Sequence, residues 1–323
     1  MGIRRNVRNG LDKVIGEERT RALARSERKA RRRLATALAP EPAPRPPKKR
    51  RPPQARPSTP KPRSRWLPSD PFVPHPAPTM SRHQLLAELH ARLTPRTYLE
   101  IGVNTGASLA LSRVPSIGVD PAFRVDHELE CDVQLVRSTS DDFFAREAPL
   151  AHLGGRPVDL AFIDGMHLSE YALRDFLNTE RLMAPTGIAV LDDMLPRNAL
   201  EASRERRTSQ WAGDVYKVAE VLRRNRPDLV TLLVNTEPTG TVVVAGLDPA
   251  SAVMDAVYEA ELAFCLAADP QVVPQDYLDR SSAVDASRLV ELDVWHELAK
   301  RREDVGADLD DLWDRLRGLP TGG

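Results

Sequence analysis

Short apolar runs in this chain end repeatedly on acids. Glu100 follows Tyr98-Leu99, Asp120 follows Ile117-Gly118-Val119, Asp164 follows Ala161-Phe162-Ile163, and Asp192-Asp193 follow Ala189-Val190-Leu191. The stretch Glu100-Ile101-Gly102-Val103-Asn104-Thr105-Gly106 passes from a strand pattern to a helical one. Its glycines allow a sharp turn and a close approach of backbone to a ligand. Glu100 at the strand end can face an amine or another cation. Asp120 stands 18 residues after Gly102, where an acid can accept both hydroxyls of a ribose. Loop and acid together point to a nucleoside-containing cofactor. The G-x-x-x-G spacing and Glu100 argue against NAD, whose phosphates favour G-x-G-x-x-G.

Asp164 and the pair Asp192-Asp193 end the fourth and fifth apolar runs. Adjacent parallel strands would bring the three carboxylates together beside the cofactor. Like charges so placed repel unless offset, and a hard divalent cation such as Mg²⁺, with its preference for oxygen ligands, would offset them. The alternative is structural: Asp164 holds a water or a loop, and Asp192-Asp193 are a polar strand end. His167, three residues after Asp164, is either a proton acceptor near neutral pH or a capping residue at a strand–helix junction. The remaining histidines show no ligand spacing.

These residues need a scaffold, and the hydrophobic pattern supplies one. Ser81 is the expected N-cap of a helix carrying Leu85, Leu86, Leu89 and Leu93. Strands are expected at 97–101, 116–119, 133–136, 158–163 and 188–191, the start of a helix at 107–111, and helices at 168–182 and 215–224. Two further strands, 229–234 and 241–245, flank the turn Glu237-Pro238-Thr239-Gly240. Such alternation predicts an α/β fold, a doubly wound parallel sheet, with a C-terminal antiparallel hairpin at its edge. Residues 249–317 read as two or three helices, with Met254, Val257, Leu262 and Leu266 as a packing stripe. Arg197 to Ala212 is polar and aperiodic, as expected of a mobile lid.

Residues about 97–246 resemble the class I S-adenosylmethionine-dependent methyltransferases, which implies a Rossmann-like fold. The resemblance puts the methionine end of the cofactor at Glu100, Gly102, Asn104, Thr105 and Gly106, and the ribose at Asp120. It puts adenine near Ser138-Thr139-Ser140-Asp141-Asp142, with Thr139 or Ser140 as contacts and Asp141 and Asp142 alternatively serving the helix start. An acid followed about 28 residues later by an acidic pair is similar to the metal-dependent O-methyltransferase branch. That makes Asp164, Asp192 and Asp193 metal ligands, with Asp164 also beside the cofactor, and His167 the general base. Catechol-type members carry Lys at the position of His167 and commonly Asn at that of Asp193. The pair found here resembles sugar-modifying members, implying a small hydroxylated, sugar-like acceptor. Trp211-Ala212-Gly213-Asp214-Val215-Tyr216-Lys217 looks like the W-x-G-D-V-W-K stretch of bacterial relatives, with Tyr216 replacing Trp. It places Trp211 or Asp214 either at the acceptor or at a helix cap.

Composition divides the chain. It has 46 basic and 46 acidic side chains, but residues 1–65 hold 21 Lys/Arg against five Asp/Glu. Fifteen of the 28 prolines fall between Pro40 and Pro78. The expected organisation is a basic, helix-capable segment at 1–38, a disordered Pro/Lys/Arg-rich linker at 39–79, a catalytic domain at 80–248 and a helical extension at 249–323. The basic segment suits a polyanion or an anionic membrane surface. No apolar run is long enough to span a bilayer, and two cysteines 134 residues apart exclude a zinc ribbon. A reducing cytoplasm is the expected compartment, with a peripheral membrane contact open to the head and a homo-oligomer contact open to the extension. Two other functions compete: a metal-independent methyltransferase with His167 as sole base, and a non-catalytic S-adenosylmethionine-binding adapter tethered by its head. A uniformly basic nucleic-acid-binding domain is excluded.

Overall fold

The computed structural model describes residues 66–67, 70–304 and 306–322. The helix expected at 2–38 and the linker up to residue 65 lie outside them. The strands are β1 (Met80–Ser81), β2 (Tyr98–Ile101), β3 (Ser116–Val119), β4 (Val133–Val136), β5 (Val158–Ile163), β6 (Met183–Leu191), β7 (Val230–Glu237), β8 (Thr241–Ala245) and β9 (Val284–Asp285). They form one sheet in the order β1-β7-β8-β6-β5-β2-β3-β4, with β9 also on β7. Only β8 runs against its neighbours, pairing antiparallel with β6 and β7. The α/β sheet with its antiparallel hairpin is thus the one expected. The hairpin is not the bare edge, because β1 pairs Met80 with Thr236 and β9 pairs Val234 with Val284.

The strand order turns back between β2 and β5. In such sheets the crevice at that reversal, outside the carboxyl ends of the strands, receives ligands. The central strands are largely apolar because both faces are covered, with Glu100 in β2 and Asp159 in β5 as buried exceptions. Leu99, Ile101, Ile117 and Ile163 pack on one side with Leu173 and Phe176 of α3 (Ser169–Glu180) and Val218 and Leu222 of α4 (Tyr216–Asn225). Tyr98, Leu160, Phe162 and Val190 pack on the other with Leu85, Leu86, Leu89 and Leu93 of α1 (Arg82–Leu93). Ser81 caps α1 as expected, accepting from the Gln84 amide while Gln84 Oε1 accepts from the Ser81 amide, a capping box.

Three regions differ from expectation. The helix expected to start at 107–111 is a single 3₁₀ turn, Leu109–Leu111. Pro115 and the start of β3 at Ser116 leave too few residues after Gly106 for more. The extension is also more broken than two or three helices. It carries α5 (Tyr258–Cys265), α6 (Gln275–Leu278), α7 (Ala286–Glu291), α8 (Val294–Arg301) and α9 (Asp310–Arg317). Trp295, Leu298, Leu312 and Leu316 lie fully buried in the same apolar layer as α1. With β9 in the sheet, residues 249–323 pack on both faces: these four on the α1 side, and Met254, Cys265, Tyr277 and Ala283 in the layer of α3 and α4. Finally, part of the expected linker is bound to the body. The Val73 amide donates to the Arg197 carbonyl at 3.0 Å, and Asn235 Nδ2 donates to the Pro76 carbonyl at 3.1 Å.

Candidate functional site

Strand tips assemble the site through the backbone. The Asp164 amide donates to the Ile101 carbonyl at 2.8 Å, Gly102 to Val119 at 2.8 Å, and Asp192 to Ile163 at 3.0 Å. The Asp120 amide donates to Val136 at 3.1 Å. Gly102, Asp120, Asp164 and Asp192 therefore follow directly from neighbouring strands. Gly102 has φ +93°, and a Cβ there would stand 1.9 Å from the Asp164 carbonyl oxygen. Only glycine permits that contact.

The Gly-rich loop is held by Asp120. Its Oδ2 accepts from the Asn104 amide at 2.8 Å, and its Oδ1 from the Ala122 amide at 2.6 Å. Each carboxylate oxygen keeps a second lone pair for a hydroxyl donor. Asn104 takes φ +47°, and the Thr105 carbonyl accepts from the Asp126 amide at 3.0 Å. Gly106 follows at φ +83°.

Glu100 does not face outward at the strand end as expected. It is fully buried, and its two oxygens accept from Tyr98 Oη at 2.7 Å and Ser108 Oγ at 2.8 Å. Burial pushes its carboxyl up to about 8, against the lowering effect of these two hydrogen bonds. An even residue of β2 shares the Tyr98 face, which explains the inward direction. Glu100 thus supports the loop from beneath, by way of Ser108. Thr139 and Ser140 begin α2 (Ser140–Phe144). Thr139 Oγ1 caps it, accepting from the Asp142 amide at 3.1 Å, and Ser140 bonds the Asp175 side chain. Asp141 pairs with Arg174 at 2.6 Å.

His167 lies between two carboxylates. Its Nε2 is 3.2 Å from Asp164 Oδ1, and its Nδ1 is 3.1 Å from Asp193 Oδ2 and 3.0 Å from the Trp211 carbonyl. Burial disfavours a charged imidazole, but the Asp164 hydrogen bond and the charges of both acids outweigh it and lift His167 to about 9. An imidazole in this setting is a cation at neutral pH. It becomes a proton acceptor there only when another positive charge offsets Asp164 and Asp193. Asp193 sits at φ +63° and accepts from Thr239 Oγ1. Burial pushes it up to about 6, although His167 pulls it down.

Asp192 turns away from this group. It is 3% exposed and faces Arg82 Nη1 at 2.9 Å. Burial, then Asp193 and Asp164, raise its pKa well above the usual range, with Arg82 opposing. The ligand atoms that gather within 4.8 Å of one another belong to Asp164, His167 and Asp193. Neither Asp192 oxygen makes a side-chain hydrogen bond, although Oδ2 pairs with Arg82. The carboxylates of Asp164 and Asp193 suit a hard divalent cation, and His167 would have to be neutral beside it.

Trp211 covers His167, ring on ring at 5.2 Å and 22°. Gly213, at φ +69°, presses so close that a Cβ would meet the His167 carbonyl oxygen at 1.8 Å. Asp214 is buried away from the ring. It accepts from the Ser169 amide at 2.9 Å at the start of α3 and pairs with Lys217 at 2.8 Å. The polar segment 197–212 is not a bare flap: Asn198, Glu201, Ala202, Ser203 and Thr208 are buried. Sequence reasoning missed Arg82 and Thr239. Arg82 is simply the first residue of α1, and Thr239 lies in a turn; neither belongs to a local chemical pattern.

The methyltransferase domain family matches residues 99–194. This span holds the loop, Asp120, Asp164, His167 and both strand-end acids. The match is to a methyltransferase domain, over this span of the chain. No curated protein matches the chain. Among solved structures, cofactor-bound Rv0187 from MTB is similar at 17% identity and TM-score 0.41, over 55% of this chain and 84% of that one. A putative caffeoyl-CoA O-methyltransferase from Staphylococcus aureus is 17% identical, with TM-score 0.38, over 52% and 85%. The O-methyltransferase TomG from Streptomyces achromogenes, in complex with SAM, is 18% identical, with TM-score 0.37, over 51% and 78%. Residues outside the family match, α1, α4 and the strands β7, β8 and β9 among them, add to the sheet and to the helices on both of its faces.

Proposed function

We propose that the protein transfers a methyl group from S-adenosylmethionine to a hydroxyl of a small, sugar-like acceptor, assisted by a divalent cation. The gathering of Asp164, His167 and Asp193 beside the Gly102 turn carries this reading. The loop of Gly102, Asn104, Thr105 and Gly106 would seat the methionine end, Asp120 the ribose hydroxyls, and the segment at Thr139 and Ser140 the adenine. Glu100 would act through the loop, and Asp164 would border both cofactor and cation. Asp164 and Asp193 would hold Mg²⁺, joined by Asp192 if Arg82 releases it. A bound cation would lower the pKa of a coordinated hydroxyl.

The chain's residues supply the rest. His167, once neutral, takes the acceptor's proton, a contribution of about 10²–10⁴-fold for such a base. The oxygen then forms its bond to the methyl carbon as the carbon–sulfur bond breaks, and the electron pair stays on sulfur. Trp211 fixes the imidazole plane and keeps water from one face. Calorimetric titration of S-adenosylmethionine into wild type and Asp120→Ala tests the cofactor site. Binding of equal strength by both would refute the ribose assignment.

A metal-free variant of the reaction has one observation in its favour: His167 lies within ion-pair distance of both Asp164 and Asp193, so its charge can offset theirs. Methyl transfer that survives complete chelation would select it. For residues 1–65, the sequence favours a polyanion or an anionic membrane surface. Binding to anionic vesicles should fade with salt, and a chain starting at residue 66 should lack it. Equal binding by both chains would refute this role.

A further inference from the structure

Arg280 is 1% exposed, yet no described carboxylate forms an ion pair with it. It lies between α6 and β9 at φ +60°. Its two terminal nitrogens bond neutral oxygens alone, and its buried Nε has no hydrogen-bond partner. Nη1 donates to Asn235 Oδ1 at 2.6 Å and to the Thr236 carbonyl at 3.1 Å. Nη2 donates to the Pro238 carbonyl at 2.7 Å and to the Leu195 carbonyl at 3.3 Å. A buried charge without a counter-charge is costly to a fold, and a neutral side chain could fill the same space.

What the four acceptors share is their place. Leu195 comes two residues after Asp193, and Pro238 comes one before Thr239, whose hydroxyl bonds Asp193. The Leu195 amide also donates to the Thr239 carbonyl at 2.6 Å. Arg280 therefore closes a ring that runs from Asp193 through Leu195 to the guanidinium, then through Pro238 and Thr239 back to Asp193. Asp193 needs such a hold, because its backbone sits in the left-handed region, which disfavours an acid with a Cβ.

We infer that Arg280 is a positioning residue: from the C-terminal extension it clamps the loops after β6 and β7, so that Asp193 is presented to His167 and to a cation. The inference rests on the reading of Asp193 as part of the active site. It also gives residues beyond 249 a role in the chemistry.

The test compares full-length wild type, Arg280→Met and Arg280→Lys. Mn²⁺ affinity is read by electron paramagnetic resonance, S-adenosylmethionine affinity by calorimetry, and amide exchange segment by segment. In Arg280→Met, Mn²⁺ affinity should fall about 10–100-fold, as for residues that orient metal ligands. S-adenosylmethionine affinity should hold, and exchange should quicken at 193–195 and 236–240 but not at 100–106. Arg280→Lys should recover part of the loss. Unchanged Mn²⁺ affinity, or parallel loss of both ligands, overturns the inference. If wild type binds no Mn²⁺, the cation reading fails on its own. Exchange then decides the clamp: quickening confined to those two segments supports it, and unchanged or uniform exchange overturns it.

Discussion

Replacing Glu100 with Gln should make the protein less sensitive to rising pH. Glu100 is fully buried and its carboxyl is raised from 4.5 to about 8, burial being the largest cause. The folded state therefore binds its proton more tightly than the unfolded state does. The resulting stabilisation is complete below the unfolded value of 4.5, shrinks as pH rises, and is gone above about 8. At about 1.4 kcal/mol per unit, the whole window is worth ~5 kcal/mol, and the accessible part from pH 6 to 8 ~2–3 kcal/mol. Glutamine resembles the protonated acid in shape and, like it, offers a donor where the carboxylate has none, with two N–H groups against one O–H. Either one needs one of the Tyr98 and Ser108 hydroxyls to accept where the carboxylate lets both donate. Urea unfolding of both proteins at half-unit steps from pH 5.5 to 8.5 gives the difference in stability directly. Groups shared by both proteins, His167 and Asp193 included, cancel in that difference. Glu100→Gln should gain on wild type by about 1 kcal/mol per pH unit across the window. Parallel curves would show that Glu100 is charged in the folded protein and that the burial argument is wrong.

Gly102→Ala should abolish S-adenosylmethionine binding in calorimetry, with the fold checked by circular dichroism, because its methyl group would overlap the Asp164 carbonyl; undiminished binding would contradict the close approach. In chelator-treated protein, the His167 ring should titrate near 9 by nuclear magnetic resonance, and a midpoint near its ordinary 6.5 would mean that Asp164 and Asp193 do not embrace it. Adding Mg²⁺ should lower that midpoint if the cation site is real. Arg226→Met should cost about 3–5 kcal/mol in chemical unfolding, since it strands Glu180, buried and doubly bonded to Arg226 at 2.8 Å; a cost below 1 kcal/mol would show that Glu180 finds other partners.

The strands were legible because their residues satisfy one demand. Val158–Ile163 is buried on both faces, so a run that is apolar but for Asp159 is enough to mark it. The acids closing such runs stood out because few charges lie within them. Where several demands met, local pattern failed. Met254, Val257, Leu262 and Leu266 keep helical spacing, yet α5 begins only at Tyr258 and Leu266 is 50% exposed. Glu261 and Cys265 take the inward positions instead, Glu261 because Arg224 meets it at 3.0 Å. Glu100 looked like a ligand-facing acid because its spacing says nothing about which side of β2 it occupies. Arg82 and Asp192 are 110 positions apart, so only the packing of α1 on the sheet shows that they meet. Arg280 is hidden for the same reason.

β7 carries a consequence for the molecule's behaviour in company. The second half of its outer rim, Val234 to Glu237, is shared by two dipeptides placed end to end, Met80–Ser81 on Thr236–Glu237 and Val284–Asp285 on Val234–Asn235. Uncovered, that rim would offer a row of amides and carbonyls to any passing strand. Each dipeptide is too short to pair stably by itself, so each relies on the helix that follows it, α1 in one case and α7 in the other. Protease trimming that loosens either helix would do more than shorten the chain: it would bare a strand rim able to zip onto its own kind.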